Sequence, residues 1–184
     1  MKISNDYFDG TKLTNVRKEI DEYWDIVKHL VRKELNNLTD ELDILIREFN
    51  GLFSEKNIYE IPTEKLNDIM IRISTELYFI QSRNEGLGIK FDISEALYRQ
   101  TYYIHYAEKK GTVNDRHGYA EMESLTEKII KNANERAYKI VKGKIDRAFE
   151  IINCIKKVLS GRIVESELGR TSENSPKSKY SEKF

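Results

Sequence analysis

The stretch LNNLTDELDILIREFNGL, residues 35–52, places Leu35, Leu38, Leu42, Leu45, Phe49 and Leu52 in alternating steps of three and four. That spacing is the a/d seam of a coiled coil or of a bundle helix, because 3.5 residues bring an apolar side chain back to the same face. The seam continues a stripe begun by Val16, Ile20, Trp24, Val27 and Val31, so residues 15–50 read as helical throughout. Gly51 is a candidate stop or kink, and residues 51–62 read as a connector.

The remaining chain repeats the pattern. Pro62-Thr63-Glu64 opens a second helix, with Leu66, Ile69, Ile73, Leu77 and Ile80 on its apolar face. Asn84-Glu85-Gly86-Leu87-Gly88 is expected to break it. Asp92-Ile93-Ser94-Glu95 is an Asp-x-x-Glu box that can satisfy exposed amides at the start of a third helix, running to Lys110. Residues 111–118 read as a polar loop. The last long helix is expected from Tyr119 to Ser160, with the stripe Ile130, Ala133, Ala137, Val141, Ile145, Ala148, Ile152, Ile155 and Leu159. Alanine at three of these positions permits close helix approach. Gly143 within that helix is a candidate for close packing or a bend. Residues 165–184 are rich in Ser, Lys, Glu and Asn without periodicity and read as a disordered tail. The expected fold is all-α, a helical hairpin, bundle or coiled coil. Its expected organisation is an N-terminal helical arm over 1–60, a helical core over 61–164 and the tail over 165–184.

Composition agrees with long, exposed helices. Of 184 residues, 34% are charged and 39% hydrophobic, with only two prolines. The net charge of zero is unevenly spread. Residues 1–68 hold 10 Lys/Arg against 15 Asp/Glu, a net of −5, and residues 128–162 hold 10 against three, a net of +7. Such asymmetry suits an anion-binding surface or pairing between chains. One cysteine excludes an internal disulfide, which fits a reducing compartment, and no apolar run approaches a membrane span or a signal segment. The expected location is the cytoplasm.

No catalytic set stands out. His29, His105 and His117 form no i, i+4 pair and there is no cysteine cluster, so no metal or other cofactor is expected. His117 beside Asp115 and Glu121 reads as a solvated loop histidine. The Gly86-Leu87-Gly88-Ile89-Lys90 run lacks phosphate-loop spacing and a preceding strand, and reads as a helix–helix turn. Cys154, between Ile152 and Ile155, reads as a buried, inert thiol.

Two features suggest binding. Tyr98, Tyr102 and Tyr106 recur every four residues and share a helix face, with Arg99, Tyr103, Lys109 and Lys110 beside them. Rings interleaved with cations suit single-stranded nucleic acid, since bases stack on rings and phosphates meet cations. The alternative is amphipathic packing with tyrosine hydroxyls at the rim. Further along, Lys128, Lys131, Lys139, Lys142 and Arg147 form a basic strip that can track phosphates.

Arg99, Tyr102-Tyr103, Asp115-Arg116, Glu121-Met122, Cys154 and Arg162 together resemble the phage recombination mediators of the UvsY type, over roughly residues 90–165. The resemblance implies a non-catalytic protein that binds single-stranded DNA and forms ring-like oligomers. It also implies help in loading a RecA-like recombinase onto strands covered by single-strand-binding protein. It adds Arg116 to the candidate DNA contacts. Leu97 stands where the family has a basic residue two positions before the matched arginine, so Arg99 carries over without its partner. The competing expectation is a coiled-coil structural or adaptor protein that binds no nucleic acid. Both predict a homo-oligomer, because the seams offer more apolar stripe than one small bundle needs.

Overall fold

The structure, a computed structural model, describes residues 10–55 and 57–173. The fold is all-α, with no strand among the described residues. Five α-helices follow one another: α1 (Gly10–Leu35), α2 (Asp40–Glu55), α3 (Thr63–Glu108), α4 (Val113–Glu123) and α5 (Leu125–Glu173). A 3₁₀ turn at Ile58–Glu60 precedes α3 and is capped by the Asn57 side chain, which accepts from the Tyr59 amide.

Contacts divide the chain into two units, Met1–Thr39 with Phe79–Lys144, and Asp40–Tyr78 with Ile145–Phe184. Neither is a consecutive segment, so this division differs from the 1–60 and 61–164 expected along the chain. The physical reason is that helices contact partners distant in sequence: α3 and α5 each contribute one part to each unit.

In the second unit the heptad reading of α2 holds. Leu42, Leu45 and Phe49 are buried, as are Leu66, Ile69, Ile73 and Leu77 of α3 and Ile145, Ala148, Ile152 and Ile155 of α5. Arg72 joins α3 to Glu48 of α2 at 3.0 Å. Arg162 of α5 donates to the carbonyls of Ile58, Tyr59 and Ile61 and to the Thr63 hydroxyl, at 2.7 to 3.1 Å. It thereby gives the Tyr59 and Ile61 carbonyls a donor and the Ile58 carbonyl a second one beside the Ile61 amide.

In the first unit Val31, Leu38, Ile80, Leu87, Ala120, Ala133, Ala137 and Val141 are buried. The α1 stripe is covered only at its end. Val31 is buried, whereas Trp24 is 55% and Ile20 is 59% exposed. Val16 lies outside the described side chains. Ile130 of the α5 stripe is also exposed.

Several expected breaks moved. The helix over 15–50 is interrupted at Asn36 and Asn37, whose φ angles of 35° and 61° are left-handed. Asparagine tolerates that region, which ends α1 and turns the chain into α2. Gly51 lies within α2. No break occurs at residues 84–88, and the Asp92-to-Glu95 box is interior to α3. Glycine costs a helix only about 1 kcal/mol, which a 46-residue ladder absorbs when its neighbours are good formers. Gly88 also meets the Tyr138 ring, 3.4 Å from where a Cβ would stand. Around Gly143, by contrast, a Cβ would meet nothing, so no close packing explains it. Residues 113–118 are helical, not loop, and α5 begins after Ser124, later than Tyr119. At its far end α5 runs to Glu173, so residues 165–173 are helical and not disordered; residues 174–184 lie outside the described residues.

Candidate functional site

The site is built where α3 ends and α4 begins, within the first unit. Gly111 makes the turn at φ 142°, a conformation that favours glycine. Thr112 then starts α4 through a reciprocal capping box. Its hydroxyl accepts from the Asp115 amide at 3.3 Å, and the Asp115 carboxylate accepts from the Thr112 amide at 3.1 Å. Hydrogen bonds from the Thr112 side chain and backbone hold the Asp115 carboxyl below its ordinary 3.8. A Thr-x-x-Asp signature was thus present in sequence at residues 112–115 and marks this helix start.

The capped turn folds α4 back onto the tyrosine face of α3. Tyr98 and Tyr102 have ring centroids 6.2 Å apart, and Tyr102 and Tyr106 lie 6.4 Å apart, nearly parallel at 15°. The expected i, i+4, i+8 ladder is therefore real. His117 is exposed, as expected, but it is helical and not in a loop. It stands on α4, its Nδ1 shares a hydrogen bond with the Tyr102 hydroxyl, and its ring lies 4.8 Å from Tyr106. His105 meets the edge of Tyr119 at 6.0 Å. Sequence reasoning missed Tyr119 and the role of His117, because both depend on the turn placing α4 against α3. Burial, then the nearby Glu121 and the other tyrosines, push the Tyr102 hydroxyl above its ordinary value, so it stays protonated at neutral pH.

The candidate cations divide by what they already touch. Arg99 is exposed and pairs with Glu95 one turn earlier at 3.0 Å. Tyr103 beside it is 66% exposed, the most open tyrosine of this cluster. Lys110 is exposed, and Lys109 sits 5.0 Å from the Tyr119 ring. Arg116 is turned inward: its guanidinium lies 4.0 Å over the Tyr106 ring and its Nε donates to the Tyr106 carbonyl at 2.9 Å. That carbonyl is among the last of α3, so Arg116 acts as a cation at a helix C-terminus.

No family model, no curated protein and no solved structure matches the chain.

The basic strip on α5 is less open than its composition implies. Lys131 and Lys139 flank Glu135 at 3.9 and 2.6 Å, and this pairing, chiefly with Lys139, lowers the Glu135 carboxyl below its usual range. Lys128 is half-buried and Lys142 is exposed. Arg147 is exposed but belongs to the second unit. Exposed residues that a polyanion can reach are thus Arg99, Tyr103, Lys109 and Lys110 near the turn, and Arg136, Lys139 and Lys142 on α5, with Arg99 and Lys139 each already beside a glutamate.

Among the described residues no three His, Cys, Asp or Glu side chains converge to hold a metal. Cys154 is exposed, not buried. The buried stripe of α5 passes through Ile152, Ile155 and Val158, and a residue one position before Ile155 is rotated about 100° away from it. No described helix is long and apolar enough to cross a membrane.

Proposed function

We propose that the chain is a non-catalytic accessory protein that binds single-stranded DNA at the α3–α4 turn, in the manner of a recombination mediator. The observation that carries the reading is the exposed Tyr103 next to Arg99, fixed on a ladder of three part-buried tyrosines. The ladder holds Tyr103 on a rigid helix, so little ordering entropy opposes stacking of a base on its ring. Arg99 and the Lys109-Lys110 pair supply phosphate contacts on either side. A RecA-like recombinase and single-strand-binding protein are the partners that the resemblance of residues 90–165 implies. Several copies joined together would convert weak single contacts into useful affinity.

A second reading, a helical adaptor whose charges only solubilise it, is favoured by the pairing of Lys131 and Lys139 with Glu135. Fluorescence anisotropy on a labelled oligothymidylate separates the two. The DNA reading expects binding that weakens as salt rises from about 50 mM, with the log–log slope reduced by about 0.7 in Arg99→Ala. Absence of binding at about 50 mM salt rejects it in favour of the adaptor. Binding that survives Arg99→Ala unchanged moves the site to Lys142 and its neighbours on α5.

A further inference from the structure

Helix α3 is apolar on two opposite faces. Over residues 79–108 one face carries the buried Ile80 and Leu87 with the tyrosine ladder. Centred about 155° around the helix from the mean direction of that face, Ile89, Ile93, Leu97 and Ile104 form a second stripe about 80° wide, each between 47% and 60% exposed. Their steps of four, four and seven keep them within that band. Water-exposed aliphatics scattered singly need no explanation, but four in register over about 23 Å of one helix do. Gly86 continues the same line. It is exposed, and a Cβ there would meet nothing within 4 Å, so the chain's own packing does not require glycine.

We infer that this outer face of α3 is where two copies of the chain join, α3 against α3 and antiparallel. A two-fold axis near residue 95 sets Ile93 beside Leu97 of the second copy, twice. It also sets Ile104 of each copy over Gly86 of the other, filling the space the missing side chain leaves. One flanking charge pair matches in this orientation, while Lys90 on the same edge stays paired with Glu34 of α1. Arg83 and Glu108 lie on the same edge of the stripe, both exposed, and the axis brings each opposite the other's counterpart. A parallel pairing would instead stack Gly86 on Gly86 and leave a gap. Arg99 lies well outside the seam, so the inference neither requires nor blocks the DNA reading.

The area sets the expected strength. Each exposed aliphatic contributes roughly 100 Å², so with its flanks the pair buries on the order of 1,000 Å² in total, the lower end for specific interfaces. The dimer should therefore be concentration-dependent, with a dissociation constant on the order of micromolar.

Sedimentation equilibrium from about 1 to 100 µM tests it, with circular dichroism as the check on folding. The expected result is a monomer–dimer equilibrium in the wild type. Ile93→Glu should raise the dissociation constant at least tenfold, since each dimer would bury two carboxylates, while leaving helicity and melting temperature unchanged. Cross-linking settles the orientation in a Cys154→Ser background. Gly86→Cys mixed with Ile104→Cys should form a disulfide between copies that neither forms alone. A wild type that stays monomeric at about 100 µM overturns the inference. So does association that persists in Ile93→Glu but is lost in Trp24→Glu, which would assign the contact to the exposed stripe of α1. Gly86→Cys cross-linking to itself would overturn the antiparallel arrangement.

Discussion

Arg162→Ala should destabilise the second unit by about 2–3 kcal/mol. The guanidinium donates to four oxygens, three of them carbonyls between residues 58 and 61. The Ile58 and Ile61 bonds are part-buried and the other two are exposed. Bonds to a charged donor contribute about 1.5–3 kcal/mol each when shielded, and far less when water can replace the donor. Counting the two part-buried bonds at about 1 kcal/mol or slightly more each gives the stated range. For a chain of this length, that corresponds to a fall in melting temperature of roughly 5–10 °C. Urea unfolding followed by far-ultraviolet circular dichroism gives the free energy directly. Arg162→Lys should recover less than half, because an ammonium cannot present the planar fork that reaches several carbonyls at once. Thr63→Val, which removes one exposed acceptor, should cost under about 1 kcal/mol. Arg162→Ala within about 0.5 kcal/mol of wild type would refute the reasoning. An unchanged stability with lost DNA affinity would instead reassign Arg162 from strap to contact.

Tyr103→Ala should weaken single-stranded DNA binding by about 1–3 kcal/mol with little salt dependence and leave the melting temperature unchanged. Tyr102→Ala should do the reverse, lowering the melting temperature, because its ring and hydroxyl join Tyr98, Tyr106 and His117; equal effects of the two substitutions on affinity alone would contradict this. Acidification should loosen the start of α4. The Asp115 carboxyl is lowered in the folded chain, so its contribution is present above about pH 4 and is lost as pH falls through the folded value. Amide-exchange protection factors along residues 113–118, corrected for the intrinsic rate at each pH, should fall below about pH 4 in the wild type, and Asp115→Asn should show no such fall. Thr112→Ala should cost about 1 kcal/mol at neutral pH.

Apolar period alone was enough to state the helices and much of the core. Leu42, Leu45 and Phe49, then Ile69, Ile73 and Leu77, then Ala133 through Ile155, are buried as their spacing required. This follows because a 3.6-residue helix puts such residues on one face wherever the chain goes. The tyrosine ladder was legible for the same reason. Helix ends were less so. Glycines at 51, 86 and 88 looked like breaks, yet a single glycine is a small penalty against a long ladder. The real interruption at Asn36-Asn37 rests on a left-handed conformation that asparagine permits but does not announce.

Which face meets which partner was decided only by the tertiary structure. Ile20 and Trp24 share the period of Val31, yet only Val31 is buried. Arg116 carries the same charge in sequence as Arg99, but it lies over the Tyr106 ring, whereas Arg99 stays on the surface beside Glu95. His117 became part of the cluster because the Thr112 cap turns α4 back onto α3. Periodicity is a local property of one helix, set by backbone geometry. Burial and pairing are properties of two surfaces, and the second surface comes from residues far along the chain.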